Sequence, residues 1–476
     1  MTQSTSLHRR AVEDADPRRS DESIRFHVDA ALFVLAMLMA IALLVVTIYR
    51  LPTWYSELEC RAGTHGIVLA TALALGAIGV FGAIRLCFFL LLAFGARRRD
   101  RRRNGPSREC PHVSILVPCF NESRTIEPAL ESMLELDYPN YEIIVIDDGS
   151  TDDTLAKARP FEGTFDGVSV RVFHKANGGK WSALNEAFRR SVGELILCVD
   201  ADSRLGADSL RRMAAHMEDP SVSVVAGQVR VRNRVNLLTR IQALEYQMGS
   251  GVRMGQGFLG MVLVVPGPAG LYRRGVMEEV FRRFGRNVPN DGPGNVSGPY
   301  EGDTFAEDFD LSLTALSLGS RIVYEPRAIS FTKAPDRAFA LISQRYRWTR
   351  GSFQVLKKFF ARARRDPTLA RPGLLAWLGL TYMIDFTVAP ITLLLSFGLV
   401  VSVFAAGGFQ WLFLAWYTAF LLVQLSSGAF FLSLSRDRLT LLAVSPLLDV
   451  YVCFLLGSAW IISLVDEFRG TDMRWS

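Results

Sequence analysis

The sequence predicts an α/β domain with a doubly wound, Rossmann-type sheet, inserted between transmembrane helices. Three observations carry this expectation. Short runs of Val, Ile and Leu alternate with helical patterns between about residues 110 and 335, long uncharged stretches lie on both sides of that region, and arginines crowd the point where the first apolar block meets it. Short, fully apolar strands suit a parallel sheet covered on both faces. Their alternation with helices is the pattern of a doubly wound sheet.

The strands are expected at 113–119 (VSILVPC), 142–147, 168–173, 194–199 and 222–226, with helices at 125–135, 180–191 and 207–218. In such sheets ligands bind beyond the C-terminal ends of the strands. Of 476 residues, 50% are hydrophobic and 21% charged, a balance that fits neither a fully soluble enzyme nor a bare bundle of membrane helices. The length leaves room for both kinds of structure.

Residues 1–28 are polar and charged and lack the apolar core and cleavage site of a signal peptide. They are expected to form a disordered cytoplasmic tail. Residues 29–95 carry two expected spans. Ala30–Tyr49 is an uncharged stretch of 20 residues, long enough to cross a bilayer. The second begins at Gly66 and runs past Arg85 to about Gly95. Seven arginines fall between Arg97 and Arg108, which reads as a cytoplasmic topology signal. The loop 50–65 would then lie outside. This clustering accounts for much of the net charge of +6 and argues against nucleic acid as a partner.

Residues 336–371 are basic and amphipathic, as expected of helices lying at the membrane interface and therefore in contact with the lipid bilayer. Residues 372–466 would supply about three transmembrane or interfacial helices. Asp385 is the one charged side chain between Pro372 and Ser435, and Gly407–Gly408 is the expected turn there. Leu439–Val465 is the next apolar run and contains Asp449; Arg436 and Arg438 mark the loop before it as inside. Residues 467–476 form a tail. Five spans would place it outside, four spans and one interfacial segment inside.

Six cysteines without a C-x-x-C pair, and six unclustered histidines, give neither a disulfide framework nor a common zinc spacing. A metal would have to be a hard cation held by carboxylates and phosphate oxygens.

Acidic residues mark two strand ends. Asp147-Asp148-Gly149-Ser150 closes the second expected strand. A carboxylate there can bind a base or ribose, although Asp-Gly alone is an ordinary turn. Asp200-Ala201-Asp202 follows the fourth strand, and period-two spacing would aim both carboxylates the same way if the strand continued. Two carboxylates beside a diphosphate can share Mg2+ or Mn2+. Glu307-Asp308 precedes an apolar helical run; an acid there can simply favour the helix dipole or act as a general base on a hydroxyl.

Gln344, Arg347 and Trp348 stand at i, i+3 and i+4 of a helix and share a face, with Gly351 continuing it. Arginine binds diphosphate oxygens bidentately, and tryptophan offers a platform for a sugar ring. The bland alternative is a basic amphipathic surface. Asn177-Gly178-Gly179-Lys180 lacks the first glycine of a P-loop, but Lys180 still opens a helix leading to the acidic strand.

In their order, VSILVPCFNES, EIIVIDDGSTDDT, NGGKWSALN, CVDADS, AEDFDL and QRYRW resemble the processive family 2 glycosyltransferases, which include cellulose, chitin, hyaluronan and poly-N-acetylglucosamine synthases. The resemblance covers about residues 112–356 and the flanking membrane pattern. It implies a GT-A-like catalytic domain over 110–335, facing the cytoplasm from a multi-pass chain in the plasma (inner) membrane. It also implies roles. Asp148 and Lys180 would hold the uridine of a UDP-sugar, with Pro118 and Asn121 nearby. Asp200 and Asp202 would bind the diphosphate and its Mg2+ or Mn2+, with Asp202 on the metal. Asp308 would be the catalytic base, and Gln344, Arg347 and Trp348 would clamp the growing glycan acceptor and the diphosphate.

The expected activity is inverting synthesis of a β-linked polysaccharide, with UDP-N-acetylglucosamine slightly preferred over UDP-glucose as donor. Coupling to export would leave room for accessory export subunits. A single transfer to a lipid-linked acceptor and a transporter with a soluble regulatory domain are the alternatives; Q-x-x-R-W disfavours the first, and the acidic strand ends have no role in the second. Ala306, where many relatives carry threonine, is the one departure.

Overall fold

The computed structural model describes residues 17–62, 66–102, 110–285, 294–383 and 410–471. Two long helices come first, α1 (Pro17–Ala62) and α2 (Gly66–Arg102). Residues 17–28, expected to be disordered, are helical. Glu22 pairs with Arg97 of α2 at 2.7 Å, Arg97 also donates to Asp29 at 2.7 Å, and Phe26 stacks on Phe94 with ring centroids 5.9 Å apart. The expected loop over 50–65 is also helical as far as Ala62. Pro52 is the one proline in that stretch, and Leu51, Glu57, Leu58, Glu59, Arg61 and Ala62 are good helix formers, so charge misplaced the turn. Residues 1–16, Arg103 and Arg108 lie outside the described residues.

The central sheet has nine strands in the order β3-β4-β2-β1-β5-β8-β7-β9-β6. In chain order its first half comprises β1 (Val113–Cys119), helix α3 (Ile126–Leu134), β2 (Tyr141–Asp147), β3 (Gly163–Phe165), β4 (Val168–His174), helix α4 (Lys180–Arg190) and β5 (Leu195–Cys198). Here β1, β2, β4 and β5 run parallel, as the apolar runs imply. Every residue of β1, β2 and β5 is buried.

In the second half the strands are mixed in direction, where the apolar runs suggested parallel ones. It contains β6 (Arg204–Leu205), α5 (Ser209–His216), β7 (Val224–Val231), α6 (Leu237–Leu259), β8 (Gly270–Arg273), α7 (Arg274–Phe284), α8 (Glu307–Ser317) and β9 (Ile322–Thr332). β8 lies antiparallel between β5 and β7, and β9 pairs parallel to β7. β8 is only Gly-Leu-Tyr-Arg. β9 contains Pro326, accommodated where its register against β7 shifts between Gly227 and Gln228. Neither has the period that announces a strand.

One face of the sheet buries Ile126, Leu130, Met133, Leu210 and Met213 of α3 and α5. The other continues without interruption into the membrane helices, so that Leu184, Phe309, Leu90, Trp377 and Phe430 share one core. Further helices are α9 (Ala338–Arg365), α10 (Gln410–Ser435) and α11 (Gly457–Arg469), and shorter helical segments span Pro372–Leu378, Leu439–Leu447, Leu448–Tyr451 and Val452–Leu456. Among the described residues four helical stretches are long and apolar enough to cross a membrane: Glu22–Tyr49, Gly79–Asp100, Tyr417–Ser435 and Leu439–Arg469. Asp385, Gly407–Gly408, the rest of 384–409 and the tail from 472 lie outside the described residues.

Helix α6 sits between the sheet and the membrane helices. Asn236 and Thr239 cap its start reciprocally, and left-handed Gly260 ends it. Gly257 is needed for its approach to β9: a Cβ there would lie 2.7 Å from the Tyr324 backbone nitrogen. Gly257→Ala is therefore expected to cost about 1–3 kcal/mol through overpacking and to lower the midpoint of thermal unfolding in detergent. Gly249→Ala, whose Cβ would meet nothing nearer than Arg253 at 3.7 Å, should leave the midpoint unchanged or raise it.

Candidate active site

The acidic residues gather at the C-terminal edge of the parallel strands. Pro118 is buried in β1 opposite Ile146 of β2. Asn121, in a left-handed conformation with φ 55°, joins the two loops beyond these strands. Its amide donates to Ser150 Oγ at 3.0 Å and its Oδ1 accepts from the Thr151 amide at 2.9 Å.

Asp148 is 2% exposed. Its carboxylate accepts from the amides of Gly178 at 3.1 Å and Gly179 at 2.7 Å and pairs with Lys175. Asp148 thus orders the loop that delivers Lys180 to the first turn of α4. Asp147, fully buried, turns to His174 at 2.6 Å.

The Lys180 ammonium lies 2.7 Å from Asp200 and 3.0 Å from Glu307. Burial opposes its charge, but Asp200 and Glu307 outweigh that and hold it well above the usual lysine range. After Cys198 the chain turns instead of continuing as strand, the Ser203 amide donating to the Asp200 carbonyl at 3.0 Å. The expected period-two alignment of Asp200 and Asp202 therefore does not arise.

The two carboxylates still interact. Burial and then Asp200 push the Asp202 carboxyl up, while its oxygens reach only the hydroxyls of Ser203 at 2.9 Å and Thr332 at 3.4 Å. Burial raises Glu122 in the loop after β1, and Asp202 and Asp200 add to it. Among the described residues no lysine or arginine pairs with Asp202. A half-buried carboxylate with carboxylate neighbours and no cation of its own fits a divalent metal.

Asp308 stands at the start of α8. Its Oδ2 accepts from the Gly267 amide at 3.2 Å and its Oδ1 from the Phe309 amide at 2.7 Å. Burial first, and Glu307 second, push it up to about 6, with Lys180 pulling the other way. Lys180, Asp200, Gly267, Tyr272, Glu307 and Asp308 line one small pocket. The close approach of the 266–269 turn and the buried Tyr272 and Tyr300 were not singled out in the sequence. Gly267 and Tyr272 stand in a stretch with no recognisable period.

The acceptor-clamp candidates lie on α9, whose Gly351 abuts the start of α8. A Cβ on Gly351 would be 2.8 Å from the Ala306 Cβ, so the two small residues permit this approach. Gln344 Oε1 is buried without a hydrogen-bond partner among the described residues. Burial lowers the Arg347 guanidinium from its usual value, and no carboxylate among the described residues pairs with it. Trp348 is 43% exposed. Its ring is backed by Arg345, whose guanidinium carbon lies 4.5 Å from the ring centroid and which itself pairs with Glu245 at 2.6 Å. Such a contact is worth roughly 0.5–2 kcal/mol, enough to hold the ring's orientation.

Pro118, Asn121 and Asp148 occupy the neighbouring strand ends, and Asp202 lies beside Thr332 at the end of β9. These four do not line the pocket of Lys180, Asp200 and Asp308, and neither do the α9 residues.

Glu301, Asp303 and Asp310 form a second acidic group, whose carboxylate oxygens lie within 4.8 Å of one another. It already holds a cation: the Lys358 ammonium contacts all three, with Asp310 at 2.7 Å. Arg362 adds a bond to Glu301 at 2.6 Å. The cluster fastens α9 to α8 and offers no open metal position.

A mixed sheet whose parallel half ends in carboxylates, followed by an acidic helix start, defines a GT-A-like glycosyltransferase fold. Residues 114–281 match Glycosyl transferase family 2. Poly-beta-1,6-N-acetyl-D-glucosamine synthase of Staphylococcus epidermidis is 31% identical over 250 residues, 52% of this chain and 56% of that protein. The synthase of the same name from Staphylococcus aureus strain COL is 30% identical over 254 residues, 53% and 57% of the two chains. The chain thus spans little more than half the length of these relatives. Among solved structures, the mannosyltransferase PcManGT from Pyrobaculum calidifontis, in complex with GDP-Man and Mn2+, shares the fold. Its TM-score is 0.54 at 21% identity, over 86% of this chain and 99% of that one.

Lys358→Met leaves three clustered carboxylates without their shared cation. Breaking a buried ion pair costs about 3–5 kcal/mol, so this variant should unfold at a clearly lower temperature.

Proposed function

We propose that this chain is a membrane-embedded, inverting hexosyltransferase that extends a β-linked poly-N-acetylglucosamine from UDP-N-acetylglucosamine. The catalytic domain faces the cytoplasm, and synthesis is coupled to export through the membrane helices. The observation that carries the reading is the Asp308 carboxyl, held at about 6 in a pocket with Lys180 and Asp200. A base of that strength is ionised near neutral pH yet still takes a proton effectively. The similarity to poly-beta-1,6-N-acetyl-D-glucosamine synthases favours N-acetylglucosamine over glucose.

In this reading the acceptor hydroxyl gives its proton to Asp308 while its oxygen attacks the anomeric carbon. The bond from that carbon to the UDP oxygen breaks on the opposite face, UDP departs with the electron pair, and configuration inverts. Pro118, Asn121 and Asp148 shape the nucleotide end of the site. Lys180 and Asp200 sit where sugar and diphosphate meet, the ammonium offering charge to the departing phosphate. Asp202, with Glu122 beside it, would hold Mg2+ or Mn2+, which when bound neutralises charge on the diphosphate. Arg347 meets the same anion from α9, as its lack of a carboxylate partner favours. Gln344 and the exposed face of Trp348 receive the end of the growing glycan.

Membranes containing the protein, incubated with UDP-N-acetylglucosamine or UDP-glucose and Mg2+ or Mn2+, should release UDP with the first donor. The product should be cleaved by a hydrolase specific for β-linked N-acetylglucosamine; UDP release with UDP-glucose alone contradicts the donor assignment. Asp308→Asn should lower turnover by at least about 100-fold, the scale of a lost general base, while UDP binding persists. Trp348→Ala should shorten the product, read by size-exclusion chromatography, and full-length polymer would remove the stacking role.

A further inference from the structure

A cavity of about 420 Å3 lies well away from the sugar site, within the size range of ligand pockets. It opens at the start of β9, beside Val323, Glu325 and Arg327, whereas Asp202 lies by Thr332 at the strand's other end. Because of the register shift, Glu325 to Thr332 matches only Gly227 to Val231 of β7, about 13 Å at ~3.3 Å per residue, and the cavity shares no lining residue with the pocket of Lys180 and Asp308.

One end of each candidate span reaches this cavity. Val28 and Leu32 come from α1, Ala96 and Arg99 from α2, Leu434 from the end of α10 and Leu439 from the start of the last span. The floor is apolar, with Met254 and Phe258 of α6 added to these leucines.

The walls carry six arginines: Arg25, Arg97, Arg99, Arg321, Arg327 and Arg436. Four carboxylates face them, Asp29, Asp100, Glu325 and Asp437, so six against four leaves two positive charges in excess. Partners outside the cavity trim this excess without cancelling it: Glu22 pairs with Arg97 and Arg436 and Asp219 with Arg321, while Arg234 draws on Asp437 at 2.6 Å. Arg436 is held below its usual value by burial; Glu22 opposes this, while Arg327, Arg25 and Arg97 add to it. Cationic walls over an apolar floor, at the level where four membrane helices end, suit an amphiphile with an anionic head. A soluble anion would have no use for the apolar floor.

We propose that this cavity is a binding site for an anionic phospholipid, its phosphate among Arg99, Arg327 and Arg436 and its acyl chains along Leu32 and Leu434. The proposal stands independently of the sugar chemistry, since its readout is bound lipid.

The protein is reconstituted in nanodiscs of equimolar phosphatidylcholine and phosphatidylglycerol and then released into detergent, and retained lipid is identified by native mass spectrometry. Retention of phosphatidylglycerol in preference to phosphatidylcholine is expected. Arg99→Gln with Arg436→Asn, the asparagine chosen because position 436 has φ 55°, should lower retention by roughly tenfold or more. Because Arg436 also pairs with Glu22 at 3.0 Å, a second variant, Ala96→Phe, fills the cavity without changing charge and should reduce retention likewise. Equal retention of both lipids, or phosphatidylglycerol undiminished in Ala96→Phe, would overturn the proposal. Displacement of the lipid by free glycerol phosphate would assign the site to a soluble phosphate and overturn the lipid reading.

Discussion

The ammonium of Lys180 holds the candidate site together. It lies between Asp200, at the end of a strand, and Glu307, at the start of a helix more than a hundred residues later in the chain. Without it, Asp200, Glu307 and Asp308 would be three carboxylates crowding one small pocket, an arrangement that ordinarily forces protonation. With it, one positive charge is shared between Asp200 and Glu307 and the third carboxyl is adjusted: burial and Glu307 raise Asp308, and Lys180 restrains the rise. The lysine is in turn delivered by a loop that exists because Asp148 accepts the amides of Gly178 and Gly179. The strand-end acid and the helix-start acid are thus parts of one electrostatic unit.

The scaffold explains why that unit stays in register with the membrane. The core on one face of the sheet runs from Phe309 through Trp377 to Phe430 and Leu90, joining the catalytic domain to the helices. Two close approaches set its geometry, Gly257 against β9 and Gly351 against Ala306. The second brings the exposed Trp348 face and Arg347 onto a helix that abuts the one bearing Asp308. Lys358 and Arg362 lock that pair by filling the Glu301–Asp310 cluster. An acidic triad that would pass for a metal site by composition is an inter-helix clasp.

The legible part of the fold was the part with a simple period. VSILVPC became β1 at its expected residues, and the helix opening at Lys180 began where its sequence placed it. The second half of the sheet was illegible because β8 and β9 owe their existence to partners: β8 is four residues held between β5 and β7, and β9 carries a proline at a register shift. For the same reason Gly267, whose amide binds Asp308, could not be found from its own neighbourhood. Charge misplaced two boundaries near the N-terminus. Residues 17–28 looked like a solvated tail, but Glu22, like Asp29 just beyond, pairs with Arg97 of α2. The aspartates and the Gln-Arg-Trp helix face were visible as chemistry, and only the structure places Asp200, Glu307 and Asp308 around one lysine.

The central claim, that Lys180 and Glu307 tune Asp308 as the base, is tested most directly by the pH dependence of sugar transfer under conditions where chemistry limits the rate. Asp308 acts when ionised, so the rate should climb as pH rises through about 6 and level off above it. Glu307 raises this value by its negative charge, so Glu307→Gln should move the acid limb to lower pH, towards the ordinary aspartate range near 3.8. An acid limb that stays in place in Glu307→Gln, or a wild-type limb already near that ordinary range, would contradict the account.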